Sequence, residues 1–226
     1  MFLGHLAVGF AAKRAAPKTS FGVLLGASEL IDLLFPVFVL LGWERVWIEP
    51  AGNPFTRAGF FYPFSHSLAA TLVWAVGAGV AYWAVTRKRR GAAVVALVVF
   101  SHWLLDAASH KPDMPLYPGA SPMVGLGLWY SVAGTIVVEL LMLATGVWLY
   151  TRVSRPRDRF GRYGLWSFVA LMVLLYASAI FGPPPPDSGA FAWVDISFVL
   201  LFLYVAWFDR HRAKPGTDES VRPDTR

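Results

Sequence analysis

The stretch Gly91-Ala-Ala-Val-Val-Ala-Leu-Val-Val-Phe100-Ser-His102-Trp-Leu-Leu-Asp106-Ala-Ala-Ser-His110-Lys-Pro-Asp113 joins an apolar run to a set of polar side chains. An apolar run of this kind is the composition of a membrane helix. On a helix, residues four apart lie one above the other, so His102, Asp106 and His110 form one stripe. An imidazole and a carboxylate one turn apart can share a metal ion. A carboxylate at membrane depth costs about 2.5–3.5 kcal/mol on insertion scales, so Asp106 is expected to face protein, water or an ion.

The whole chain agrees with a membrane setting. It has 226 residues, 56% of them hydrophobic and only 15% charged, with a mean hydropathy of +0.52. Ordinary soluble domains are less apolar and more charged, so the expected class is all-α, a polytopic membrane helix bundle. Ten Trp, eight Tyr and seventeen Phe suit aromatic belts at the two interfaces. The absence of cysteine excludes disulfides and Cys-ligated zinc. The net charge of +6 comes from basic residues clustered at helix ends, which reads as a topology signal and not as a nucleic-acid surface. Lys13 and Arg14 follow the first apolar stretch instead of preceding it, so no cleavable signal is expected.

Residues 2–16 are apolar but too short to span, since a span needs about 20 residues. They predict a half-helix, tucked into the bundle or lying at the interface, and broken by Pro17. Six spans follow: Phe21 to Gly42, His66 to Thr86, Gly91 to about Ser109, Leu128 to Tyr150, Leu165 to Phe181 and Phe191 to Phe208. The first span holds Glu29 and Asp32 on neighbouring positions of one face, a Gly22-x-x-x-Gly26 pair that permits close packing, and Pro36 as a candidate kink. Residues 43–65 and 111–127 read as loops, the second irregular and rich in Pro and Gly. One transmembrane domain over 1–209 and a polar, disordered, cytoplasmic tail over 210–226 complete the expectation.

Lys and Arg fall unevenly between the spans. Seventeen of the twenty lie in residues 1–20, 87–90, 152–164 and 210–226. By the positive-inside rule both termini are expected in the cytoplasm, with six spans. At about 1.5 Å per residue, Glu29, His102 and Glu139 then lie about 12 residues up their spans from the basic ends. Asp32, Asp106 and Asp195 sit higher, and His66, His110 and Asp113 at the outer mouth. This pattern predicts one polar cavity opening outward.

Two readings of the polar stripe stay open at this point. His102 and Asp106 have ligand spacing, and His66, His5, Asp32, Glu29, His110 and Asp113 are candidates to complete a metal site. A mixed His and carboxylate set suits zinc, manganese or iron. Alternatively these groups hydrogen-bond neighbouring helices and hold the bundle together. His66-Ser67 also sits where a helix starts, with Ser65 as its expected N-cap. Glu139 is expected to be structural or proton-binding.

Gly4-His5, an acidic pair in the first span, His66-Ser67 and Ser101-His102-x-x-x-Asp106 together resemble the bacterial family of predicted membrane-bound metal-dependent hydrolases. The resemblance covers roughly residues 1–119. A closer likeness is to uncharacterised six-span bacterial membrane proteins, sometimes labelled permease-like. That likeness rests on Gly4-His-Leu-Ala-Val-Gly-Phe-Ala-Ala-Lys-Arg-Ala-Ala-Pro17, Ser101-His-Trp-Leu-Leu-Asp106, His110-Lys-Pro-Asp113 and Gly182-Pro-Pro-Pro-Pro186. The resemblance implies metal ligands at His5, His66, His102 and Asp106. The family's Asp-x-Asp appears here as Glu29-Leu-Ile-Asp32, so only Asp32 matches, and Tyr62 stands where the family often has a second His.

The resulting expectation is a metal-dependent hydrolase with a divalent ion, zinc first. The ion is held by His66, His102 and Asp106 with His5 or Asp32. His110 or Asp113 is the acid–base candidate, and the substrate is a lipid or phosphoester drawn from the membrane. The alternatives are a small proton- or ion-coupled transporter using Glu29 and Glu139, and a scaffold whose polar groups only lock helices.

Overall fold

The computed structural model describes residues 1–49 and 52–213. A helix that is apolar on every side can rest only in a core or in lipid. Five helices of this chain meet that description and are long enough to cross a membrane: α4 (Leu68–Thr86), α5 (Arg89–Ser109), α6 (Val132–Arg152), α7 (Arg159–Phe181) and α8 (Ser188–Arg210). A shorter pair, α2 (Phe21–Ser28) and α3 (Leu30–Leu40), makes a sixth span bent by 55°. The molecule is a polytopic membrane helix bundle, and apolar side chains such as Val73, Val76 and Val80 of α4 face outward.

The remaining helix, α1 (Phe2–Ala15), is tucked into the centre of the bundle. Its length of about 21 Å falls short of a bilayer core. Leu3, Leu6 and Phe10 are buried against Leu143, Val147 and Tyr150 of α6 and Phe168 and Met172 of α7. A Cβ on Gly146 of α6 would lie 2.5 Å from the carbonyl oxygen of Ala7, so the two backbones touch there. Gly22 likewise sits against α8, where a Cβ would meet Ala206 at 2.7 Å. Gly26 has open space around it and makes no such contact.

Three local expectations are corrected. The first span breaks at Glu29 and not at Pro36, which lies inside the continuous α3. The N-cap of α4 is Ser67, whose hydroxyl accepts from the Ala70 N–H; Ser65 does other work. The fifth span starts at Arg159 and not at Leu165, and Asp158 caps it by accepting from the Gly161 N–H. That bond, with His211 beside it, holds the Asp158 carboxyl below its usual range.

The connections carry small ribbons. Residues 43–65 contain an antiparallel hairpin of β1 (Arg45–Ile48) and β2 (Ala58–Phe61), with Arg45 opposite Phe61. Residues 111–127 contain the two-residue pair β3 (Met114–Pro115) and β4 (Met123–Val124). The chain does not become a free tail at residue 209. Asp209 is buried in α8, and β6 (Arg212–Ala213) pairs with β5 (Arg155–Pro156). The expectation of disorder therefore fails for 210–213, and the rest of that tail lies outside the described residues.

At this end Asp209 gathers three donors. Its Oδ2 accepts from Lys13 Nζ at 2.8 Å and from the Phe21 N–H at 3.1 Å, and its Oδ1 accepts from the Tyr150 hydroxyl at 3.1 Å. The buried charges are thus paired and hydrogen-bonded, as burial requires.

Candidate functional site

The α5 stripe faces the interior. His102 and Asp106 are each 1% exposed and His110 is 5% exposed. The break at Glu29 ends α2 opposite this stripe, and a helix end leaves carbonyls without intrahelical partners. The carbonyl of Ser28, the last residue of α2, accepts from His102 Nδ1 at 2.8 Å. With the proton on Nδ1, the neutral ring carries its lone pair on Nε2. That Nε2 lies 3.1 Å from Asp106 Oδ2 and 3.4 Å from Asp32 Oδ1. It meets neither with hydrogen-bond alignment.

His66 is oriented in a parallel way from another direction. The Ser65 hydroxyl donates to Glu44 Oε2 at 2.6 Å, so its oxygen is left to accept from His66 Nδ1 at 2.7 Å. Glu44 is anchored by the N–H groups of Phe64 and Ser65. Burial pushes the Glu44 carboxyl up, and the three donors oppose that and hold it as an acceptor. The other ring nitrogen, Nε2, hydrogen-bonds Asp32 Oδ1 at 3.2 Å and lies 3.9 Å from Asp106 Oδ2. Such partners behind a histidine are the usual means of aiming its other nitrogen at a metal.

An imidazole lone pair aimed at carboxylate oxygens repels them, and a cation among them reverses the sign. A proton on His102 Nε2 would supply one charge, yet that nitrogen is not aligned on either oxygen. The donor spacing is also one that could hold a metal ion. The four measured separations are 3.1, 3.2, 3.4 and 3.9 Å. A tetrahedral zinc with bonds of about 2.0–2.1 Å has ligand–ligand edges of about 3.3 Å. Two trios each bring their donor atoms within 4.8 Å of one another, His66–His102–Asp106 and His5–Asp32–His102.

His5 arrives from α1, stacked on His102 with ring centroids 3.6 Å apart. Its Nε2 lies 3.0 Å from Asp106 Oδ1 and 2.9 Å from the Met1 amino nitrogen, and its Nδ1 is buried without a partner. The Met1 amino group also donates to Asp106 Oδ1 at 2.6 Å. Asp106 thus turns one oxygen to α1 and the other to the two histidines.

The outer pair stands one step away. His110 Nδ1 lies 3.1 Å from Asp113 Oδ1 and 3.2 Å from the Tyr62 hydroxyl, which also donates to that Asp113 oxygen. His110 Nε2 points inward, 3.9 Å from Asp106 Oδ1, and the ring packs on Trp129 at 3.8 Å. Burial pulls His110 down and keeps it neutral, while burial and the Asp113 charge push the Tyr62 hydroxyl well up. A cavity of about 190 Å³ is lined by Asp32, His66, Asp106 and His110, with Glu29 and Asp195 also on its wall. Asp113 backs His110 and does not line it.

The structure thus brings together His5, Asp32, His66, His102 and Asp106, with His110 and Asp113 at their side. Glu139 lies apart from them. Its Oε2 accepts from the N–H groups of Leu3 at 2.6 Å and Gly4 at 3.3 Å, capping α1 from a neighbouring helix. Sequence reasoning missed Ser28, Glu44, Ser65 and Trp129, and it took Tyr62 only as a missing histidine. A serine beside His66 was the one local signal; Glu44 and the Ser28 carbonyl reach the site only through folding. Comparison with known protein families, curated proteins and solved structures finds no match for this chain.

Proposed function

We propose that this protein is a bacterial inner-membrane, metal-dependent hydrolase acting on a lipid-like ester or phosphoester. The observation that carries this is the pair of histidines, His66 and His102. Each has Nδ1 committed to a fixed acceptor and Nε2 turned to the same two carboxylates. His66, His102, Asp106 and Asp32 hold the ion, and His5 is within reach through the second trio. Zinc suits this donor set first, then manganese or iron. A divalent metal here supplies Lewis acidity and activates water.

The chain's own groups do the rest. Asp113 and Tyr62 hold His110 by Nδ1, which leaves Nε2 free to take or give a proton at the cavity wall. Phe35, Phe60 and Phe191 line the same cavity and keep bulk water from it. The uneven Lys and Arg distribution supports cytoplasmic termini and a cavity that opens toward the outer leaflet.

The test is elemental analysis of detergent-purified wild type beside His102→Ala and Asp106→Ala. One equivalent or more of zinc, manganese or iron in wild type, lost in both folded variants, is the expected result and opens a screen of ester and phosphoester substrates. No metal in wild type after metal is added back overturns the reading. The break at Glu29 favours a second reading, an ion-coupled transporter, because such proteins bind ions at interrupted helices. That reading is distinguished by Glu29→Gln, which abolishes transport in a transporter and leaves a hydrolase its metal.

A further inference from the structure

The cavity beside the histidines has a charge that the metal does not balance. Four carboxylates line it, those of Glu29, Asp32, Asp106 and Asp195, against one positive group, the Met1 amino group that pairs with Asp106; among the described residues no Lys or Arg does. A divalent ion at Asp32 and Asp106 neutralises two of them. Glu29 keeps only a 3.4 Å contact from the Ser28 hydroxyl. Asp195 has no hydrogen bond and no ion pair among the described residues, and its charged neighbour is Asp32, of the same sign. The Met1 amino group is committed to Asp106 and His5, so an ionised Asp195 finds no positive partner among the described side chains.

The rest of the wall is aromatic. Phe35 meets Phe60, Tyr62 and Phe191 edge-on at 5.9, 6.1 and 6.0 Å, so these rings form one continuous surface. Trp129 closes the far side against His110. Ring faces carry negative potential, and carboxylates set among aromatic rings are the arrangement that recognises organic ammonium groups. Inorganic cations gain less from rings, and an anionic head would be repelled. A cavity of about 150 Å³ holds a benzene molecule, so the 190 Å³ found here admits a group of trimethylammonium size.

We propose that this cavity receives an alkylammonium group, held by Asp195 and Glu29 against the aromatic wall of Phe35, Phe60, Tyr62 and Phe191. The inference stands on the lining alone and does not need the metal. If the protein is a hydrolase, the ammonium marks its substrate.

The experiment is calorimetric titration of the full chain in dodecyl maltoside, with metal content measured on every sample. The probes are tetramethylammonium and dodecyltrimethylammonium chloride, against sodium chloride at equal ionic strength. Saturable binding is expected, weakened about tenfold or more in Asp195→Asn and about three- to fivefold in Phe191→Leu, each checked for unchanged elution and melting. Much tighter binding of the long-chain probe, with the same sensitivity to the variants, assigns the group to an amphiphile. Equal affinities assign it to a small free amine. No saturable binding of either probe, or affinities unchanged in both variants, overturns the proposal. Ammonium binding in a metal-free wild type removes only the metal centre, and metal without ammonium binding removes only this inference.

Discussion

His102 Nδ1 donates to the carbonyl of Ser28 at 2.8 Å, tying the middle of α5 to the broken end of α2. The bond does two things at once. It occupies a carbonyl freed by the helix break, and it sets which nitrogen of His102 faces the carboxylates. An unbroken helix at Glu29 would offer no such acceptor. The kink in the first span and the tautomer of a histidine on the third are thus one feature.

The Ser65 hydroxyl has the corresponding task for His66. Ser65→Ala removes the acceptor of His66 Nδ1 and frees the ring to turn. Metal affinity is expected to fall about 10- to 100-fold with the fold intact. Competition with a chelating dye measures it, and Ser65→Thr should restore most of the loss.

Metal is expected to stabilise the folded chain. Free zinc at about 100 times its Kd adds about 2.7 kcal/mol by mass action. A thermal melt in detergent should rise with zinc and fall on chelation in wild type. In Asp106→Asn the two melts should coincide; a zinc shift surviving there would place the ion elsewhere.

Glu139 is assigned to capping, which separates it from the site. Glu139→Ala leaves the Leu3 and Gly4 N–H groups buried without a partner, at about 1–3 kcal/mol. Glu139→Gln keeps an oxygen in place and should cost less. Both should bind metal like wild type, so metal loss in a folded Glu139→Gln would contradict the assignment.

The contact between α1 and α6 allows no side chain at Gly146. Gly146→Ala forces the two backbones apart and should cost about 1–3 kcal/mol, read as a lower melting temperature. Because α1 carries His5, the same variant should loosen metal binding without touching a ligand.

Much of this was legible in the residues. The apolar runs located the spans, since a hydrophobic stretch of membrane length has few other fates. His102 and Asp106 could be paired because α-helical periodicity is fixed over four residues. Their junction with His66, Asp32 and His5 depends on how four separate segments pack, and periodicity carries no information on that. The Glu29 break was hidden for a different reason: Pro36 is the stronger local signal, yet it lies inside the continuous α3 and the chain bends earlier. Residues 209–212 read as a polar tail because composition cannot show that Lys13 awaits a carboxylate.

That last pairing has a consequence for the order in which the molecule is made. Lys13 leaves the ribosome 196 residues ahead of Asp209. Their ion pair, which also fixes the start of α2 through the Phe21 N–H, forms only when the final helix arrives. Until then α1 lacks its lock at the Lys13 end. Locking of α1 therefore waits on α8, and a chain stopped short of residue 209 would carry every candidate ligand and still lack that lock.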